Sequence, residues 1–332
     1  MIRTMVFVIA VALSQLLSAD AAFAQQPAKI PRVGVLINGY APDNPATASL
    51  RSGLAQLGYV EGKTILIEDR YAEGKLDRMP ALAAELISLD VDVIATYGGP
   101  AANAAFRANK TIPIVFAIVA DPVALGFAST LERPGGNATG STNHDPRQPQ
   151  LQLAMLKELL PRLQRIVILS DQDIPGADAS GLAPIERTAV AAAQELGLQS
   201  QVLKLRGPSP DLEAAFKTIT AHKAEALLVL EVPVTLNHRK RIAEMATAQK
   251  LPSICPAAYS DAGALISYGT SVMDTWPAVP GFIDKILKGA KPADLPVQVI
   301  TRRELTINAK TAHTLGLSIP AQLLRQADRV VD

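Results

Sequence analysis

Cysteine is almost absent from this 332-residue chain: Cys255 stands alone, so no intramolecular disulfide can form. Its setting, LPSICPAA, reads as a buried strand in which the thiol acts as a small hydrophobe. An excess of charge of either sign is also missing. Lys and Arg number 32 against 31 Asp and Glu, a formal net charge of +1, which lacks the basic surplus of a nucleic-acid-binding domain, and no such partner is expected. Aromatic residues make up 4% of the chain, so each tyrosine near a cleft is informative. The first strand-to-helix turn, NGYAPDNPAT, has no G-x-G-x-x-G, and no G-x-x-x-x-G-K-[ST] occurs anywhere, which argues against a nucleotide cradle. His144, His222, His238 and His313 are scattered, with no H-E-x-x-H and no cysteine partner, so neither a metal nor a cofactor is expected. No G-x-S-x-G precedes a helix; a catalytic triad gathered from distant residues stays open.

What is present begins with an export signal. Arg3 supplies positive charge, Met5 to Leu17 is almost wholly apolar, and Ala22 and Ala24 flank Phe23: the three parts of a secretory signal peptide. Ser14, Gln15, Ser18 and Asp20 break the run before the roughly 20 apolar residues a membrane anchor needs. Residues 1–24 are expected to be removed after Ala24. No cysteine stands at that point to carry a lipid, so a soluble, periplasmic protein is expected. Removing 24 of the 332 residues leaves 308, enough for two cores of ordinary size.

Short apolar runs alternate with amphipathic segments. RVGVLI, TILIEDR, VDVIATYG and IPIVFAIVA are four strands with helical patterns between them, the signature of a parallel sheet. After the turn-rich RPGGNATGSTNH the alternation restarts with RIVILSD, SQVLKLRG, EALLVLEV and LPSICPAAY. Val33 to Asp77 and Val167 to Asp211 both span 44 positions, and both halves continue with a helix ending in lysine and an X-Pro strand start. Such agreement predicts two similar α/β lobes with a cleft between them.

The stretch TYGGPAANAA, residues 96 to 105, follows a buried-looking strand. Gly98 and Gly99 permit a tight turn and Pro100 suits the start of a helix. The N–H groups of Ala101 and Ala102 are then expected to point outward, where an anion can meet them; an ordinary turn fits the same residues. Ligands of open parallel sheets sit beyond the carboxyl ends of the strands. The candidate ligand-binding residues at those ends are Asn38, Tyr40, Gly98, Gly99, Pro100, Ala101 and Asp121 in the first half. In the second they are Asp171, Glu231, Val232 and Tyr259, with Asn143 where the chain leaves the first half.

Together, LGYVEGK, KTIPIVFAIVADPVALGF, LERPGGNATG, DKILKGAKPADLPV and INAKTAHTLGLSIPAQLLRQAD resemble the substrate-binding proteins of ABC importers, in the branch that includes tryptophan-binding members. The resemblance spans nearly the whole mature chain. It implies a type I periplasmic-binding-protein fold, with two Rossmann-like lobes joined by three crossings that close on a small solute, and an ABC permease in the inner membrane as partner. The first lobe is expected at 28–143 plus about 270–295, and the second at 144–269 plus about 296–332. The glycines of RPGGNATGSTN are expected to give freedom to the hinge. MDTWPAVPGFIDKILKG and VITRREL depart from the family pattern and put the permease contact in more doubt than solute binding.

Function is expected to be capture without chemistry, by a monomer that is not an enzyme. A carboxylate would meet the helix start after Gly99, an ammonium would meet Asp121 or Glu231, and Tyr40 and Tyr259 would flank an apolar body. An amino acid or an aromatic carboxylate suits this better than a sugar, since the one tryptophan is not at a strand end. A ligand-sensing receptor and an exported α/β enzyme are the alternatives; a repressor of similar lobe architecture would need a helix-turn-helix where the signal peptide stands.

Overall fold

The central apolar runs become strands buried on both faces, as helix-covered parallel sheets require, while TILIEDR and SQVLKLRG form half-buried edge strands. The computed structural model describes residues 29–39, 44–119, 121–143 and 145–332; the expected signal peptide and Tyr40 lie outside the described residues. In chain order the elements are β1 (Arg32–Ile37), α1 (Pro45–Gln56), β2 (Leu66–Tyr71), α2 (Met79–Ser88), β3 (Val93–Tyr97), α3 (Gly99–Ala108), β4 (Ile114–Ala117) and β5 (Ala138–Thr142). Next come α4 (Gln148–Leu159), β6 (Arg165–Asp171), α5 (Pro184–Glu195), β7 (Gln199–Leu205), α6 (Leu212–Ala221), β8 (Ala226–Val229), α7 (Pro233–Asn237) and α8 (Arg239–Ala248). The chain ends with β9 (Ser253–Cys255), β10 (Ile266–Gly269), α9 (Val279–Leu287), β11 (Gln298–Val299), β12 (Glu304–Asn308), α10 (Ala309–Leu315), α11 (Ala321–Gln326) and β13 (Arg329–Val331).

Local chemistry sets several helix starts. Asn44 Oδ1 accepts the Ala46 N–H at 3.0 Å, and Pro45 follows where no amide is needed. Asp211 Oδ1 does the same for Ala214 at α6, at 2.8 Å.

The first sheet runs β11-β5-β4-β3-β1-β2 with every pairing parallel. The second runs β13-β12-β10-β9-β8-β6-β7, and β10 with β12 is its antiparallel pair. Without the edge additions, β2-β1-β3-β4-β5 and β7-β6-β8-β9-β10 share one order, so the duplicated sequence spacing is a duplicated topology. In each half the winding reverses beside the first strand, which opens a crevice beyond the carboxyl ends. Helices α2 and α3 cover one face of the first sheet through Met79, Leu82, Leu86 and Ala105; α1 and α9 cover the other through Leu50, Leu54, Phe282 and Ile283. A single apolar cluster runs through the second lobe.

The chain passes between the lobes after β5, after β10 and after β11. The last passage differs from the expected boundary near residue 296. Gln298 and Val299 pair with Ser141 and Thr142 at the edge of the first sheet, so the crossing falls beyond Val299. The crossings are bonded to one another: Ser141 Oγ donates to Thr275 O at 2.7 Å, Ile300 N to Thr142 O at 2.8 Å, and the Arg303 guanidinium meets Asp145. The glycine-rich run also differs from its expected role as hinge. Residues 138–142 are strand β5, and Gly140 is required there because a Cβ would lie 1.9 Å from Phe116 O on the neighbouring strand. Cys255 is buried in β9 as expected, and burial pushes its thiol up to about 12.

Candidate functional site

Both crevices open onto one cavity of about 380 Å³, lined from both lobes. From the first lobe come Asn38 beyond β1, Tyr97 at the end of β3, the start of α3, Asp121 beyond β4, and Trp276 on the segment returning to α9. From the second come Glu231, Val232 and Pro233 after β8, Arg239 at the start of α8, and Ile174 and Pro175 after β6. The strand-order reversals lie between β1 and β3 and between β6 and β8, so the cavity sits where the topology alone would put a ligand.

Among the described residues, four buried polar atoms on this wall have no hydrogen-bond partner: Asn38 Oδ1, Tyr97 OH, Glu231 Oε1 and Trp276 Nε1. Orphans of this kind are costly, about 1–3 kcal/mol each, and mark a place where a ligand can complete the bonding. The rings of Tyr97 and Trp276 meet edge to face, with centroids 6.3 Å apart and an interplanar angle of 84°, and so form one aromatic corner. Burial raises the Tyr97 hydroxyl well above its ordinary range and keeps it neutral.

Glu231 is the most perturbed carboxyl of the cavity. Its Oε2 accepts from Asn143 Nδ2 at 2.6 Å, a bond from the first crossing to the end of a second-lobe strand. Burial pushes the acid up to about 7 against the opposing pull of that bond. Asn143 itself lines a second, small cavity of about 70 Å³ on the hinge side of Glu231.

At α3, Gly98 has a φ of +99°, and its carbonyl accepts the Ala102 N–H at 3.1 Å. Ala102 is therefore not an outward donor as expected. The first turn leaves the N–H groups of Gly99 and Ala101 outside the helical ladder, since Pro100 has none. Gly98, Gly99 and Pro100 line the cavity, whereas Ala101 is fully buried beneath them.

Two strand-end residues depart from their expected place. Tyr259 is fully buried, and its hydroxyl donates to Thr235 O at 2.7 Å, so it braces α7 from within and does not line the cavity. Asp171 is 2% exposed; its oxygens accept from Asp173 N at 2.9 Å and Val234 N at 3.1 Å, and burial raises its acid. It borders a neighbouring cavity of about 580 Å³ that shares Asn38, Pro233 and Asn237 with the main one. Asp121 stays on the main wall while Oδ1 caps the next turn through Val123 N and Ala124 N, at 3.2 and 2.9 Å. Tyr97, Trp276 and Arg239 were absent from the strand-end reading, and Arg239 is the one cation among the described residues of this cavity.

Tyr259→Phe provides a check on the bracing role. It is expected to lower unfolding free energy by about 1–2 kcal/mol in urea titration, through the abandoned Thr235 carbonyl, with ligand affinity unchanged. A loss of affinity at constant stability would return Tyr259 to the site.

Two α/β lobes of one topology, crossed three times and facing each other over a shared cleft, define a type I periplasmic-binding-protein fold. Residues 33–331 match the model of the ABC transporter substrate binding protein family, and the chain belongs to that family. A structure of the ABC domain from Streptococcus pneumoniae in complex with L-Trp is 26% identical with a TM-score of 0.78, over 91% of this chain and 99% of that one. A conserved domain protein from Vibrio cholerae is 27% identical with a TM-score of 0.79, over 91% and 100%. The tyrosine-binding protein of Clostridioides difficile is 25% identical over 267 residues, 80% of this chain and 74% of that relative.

Proposed function

We propose that the protein captures an α-amino acid with an aromatic side chain between its lobes by hinge closure in the periplasm, and delivers it unchanged to an ABC permease. The observation that carries this reading is the set of four buried, unpartnered polar atoms on the wall of one cavity. Asn38 Oδ1 and Glu231 Oε1 ask for donors, which an ammonium group supplies. Trp276 Nε1 can only donate; with Arg239 and the amide of Gly99 it suits a carboxylate. The Tyr97–Trp276 corner and the apolar faces of Ile174, Pro175 and Ile185 suit a flat ring. The L-Trp bound to the pneumococcal structure and the name of the clostridial relative agree with this ligand class.

Calorimetric titration of the mature protein with L-tryptophan, L-tyrosine and L-leucine tests the reading. Binding of an aromatic amino acid at least about tenfold tighter than leucine is expected, a difference of about 1.4 kcal/mol. No binding of any of them, or consumption of the ligand, would overturn it. Gly99→Val adds a narrower test. A Cβ at Gly99 meets nothing nearer than Pro175 Cγ at 4.0 Å, so the empty fold tolerates it, while the added methyls cover the helix start. Affinity for an amino acid is expected to fall with little change in melting temperature; undiminished affinity would remove the helix start from the site.

A further inference from the structure

Glu231 differs from an ordinary ammonium-binding carboxylate in the company it keeps. One oxygen is held by the Asn143 amide, and among the described residues the other is buried and unpartnered and no cation pairs with either. The titratable and charged groups that share its two cavities are Tyr97 on β3, Asp121 beyond β4 and Arg239 on α8 on the cleft side, and Asp145 of the first crossing on the hinge side. Asp145 is occupied by Arg147, with Nε at 3.2 Å, and by Arg303, which together with the Arg147 amide hold its acid low. Tyr97 stays neutral. None of these groups compensates a charge on Glu231, so in the empty cleft burial favours the neutral acid.

From this arrangement, and resting on the amino-acid reading above, we infer that capture of the ligand is coupled to release of a proton from Glu231. In the empty protein the Glu231 carboxyl holds its proton. An incoming ammonium places a positive charge beside Oε1, the O–H bond breaks, the proton passes to solvent, and a carboxylate–ammonium pair remains. Charge balances: the ligand enters as a zwitterion with no net charge, one proton leaves to solvent, and the loaded site carries one negative charge more than the empty one, with the new carboxylate paired to the ammonium. Glu231 thereby selects for ligands that carry the ammonium. A ring acid without it brings no charge to displace the proton and leaves Asn38 Oδ1 and Glu231 Oε1 without donors.

The sign follows from the acid's position near 7 when empty and its fall when loaded. Below neutral pH the ligand must displace a proton, and above it the site is already ionised. Affinity for L-tryptophan is expected to weaken about tenfold from pH 8 to pH 6. Released protons per ligand should rise from about one-tenth at pH 8 through about one-half at pH 7 to nearly one at pH 6.

The experiment is calorimetric titration of the mature protein with L-tryptophan and L-tyrosine at each pH, in buffers of different ionisation enthalpy. Buffer-dependent heats that follow this proton count support the inference, as does their disappearance in Glu231→Gln. Indole-3-propionate, the acid lacking the amine, is expected to bind weakly and release no proton. Because the variant could lose its fold, a carbon-13 NMR titration of the glutamate carboxyls in the wild-type protein gives a second readout. One resonance titrating near neutrality when empty and well below it when loaded is the expected result. Tight amino-acid binding with buffer-independent heats and no such resonance would overturn the inference and leave the amino-acid reading standing. No binding of either amino acid at any pH would overturn both.

Discussion

Trp276→Ala is expected to weaken amino-acid binding by about 100-fold, or about 3 kcal/mol, the range of a buried aromatic anchor. Two losses combine: the ring that meets Tyr97 at 84° and the Nε1–H, which has no partner among the described residues. Trp276→Phe separates them. It keeps a flat face and removes the donor, and is expected to cost about tenfold, in keeping with one hydrogen bond to a charged group. Thermal melting of the empty variants should move by only a few degrees, since Trp276 is partly exposed at the edge of the first-lobe core. Equal affinity for wild type and Trp276→Ala, measured by calorimetry, would show that the ligand sits elsewhere.

The largest effect on folding is expected from Gly140→Ala. Gly140 pairs with Phe116 in the interior of the first sheet, and a Cβ there would meet the Phe116 carbonyl oxygen at 1.9 Å and its nitrogen at 2.7 Å. Backbone on both strands is the obstacle, so no rotamer change relieves it, and β4 and β5 must part. A cost above about 4 kcal/mol is expected, against a total stability of about 5–15 kcal/mol for ordinary domains. Urea unfolding followed by near-ultraviolet circular dichroism should show an early transition assignable to the first lobe. A wild-type midpoint would mean that the strands can separate freely here. By contrast Gly136→Ala, four residues earlier in the same run, meets nothing within 4 Å and should leave the midpoint in place.

The strands were largely legible because parallel strands buried on both faces must be unbroken apolar runs, and RVGVLI, RIVILSD and EALLVLEV are such runs. The shared spacing of 44 residues carried the duplication, which the identical strand order of the two sheets now expresses. Gly140 was harder to read: a glycine that permits flexure and a glycine that permits close approach look the same in one dimension.

At the cleft, the rule of strand ends reached Asn38, the turn before α3, Asp121, Glu231 and Val232, all of which line the cavity. It could not tell which way a strand-end side chain faces once a helix folds over it. Asp171 is claimed by the amide of Val234 because α7 packs across the end of β6, and Tyr259 is claimed by the carbonyl of Thr235 on the same short helix. Tyr97 was given no role in the turn TYGGPAANAA, and the structure makes it the last residue of β3, where it faces the cavity. Trp276 arrives on the second crossing, from a part of the chain with no strand-end signal, and Arg239 reaches in from a helix that reads as solvated.

Residues 172–183, which carry Ile174 and Pro175 over the cavity, are stapled to their own lobe. Asp178 Oδ1 accepts from Ser180 N and Leu182 N at 2.8 and 3.3 Å, and Glu186 Oε2 accepts from Ala183 N at 2.7 Å and pairs with Lys204 at 2.8 Å. Gly176 approaches the first lobe so closely that a Cβ would lie 2.9 Å from Leu125 Cδ2. This roof is prefabricated: its shape is set by polar bonds that exist before any guest arrives. Association therefore loses little segmental entropy, and the guest's fit against an already finished ceiling governs how long it stays.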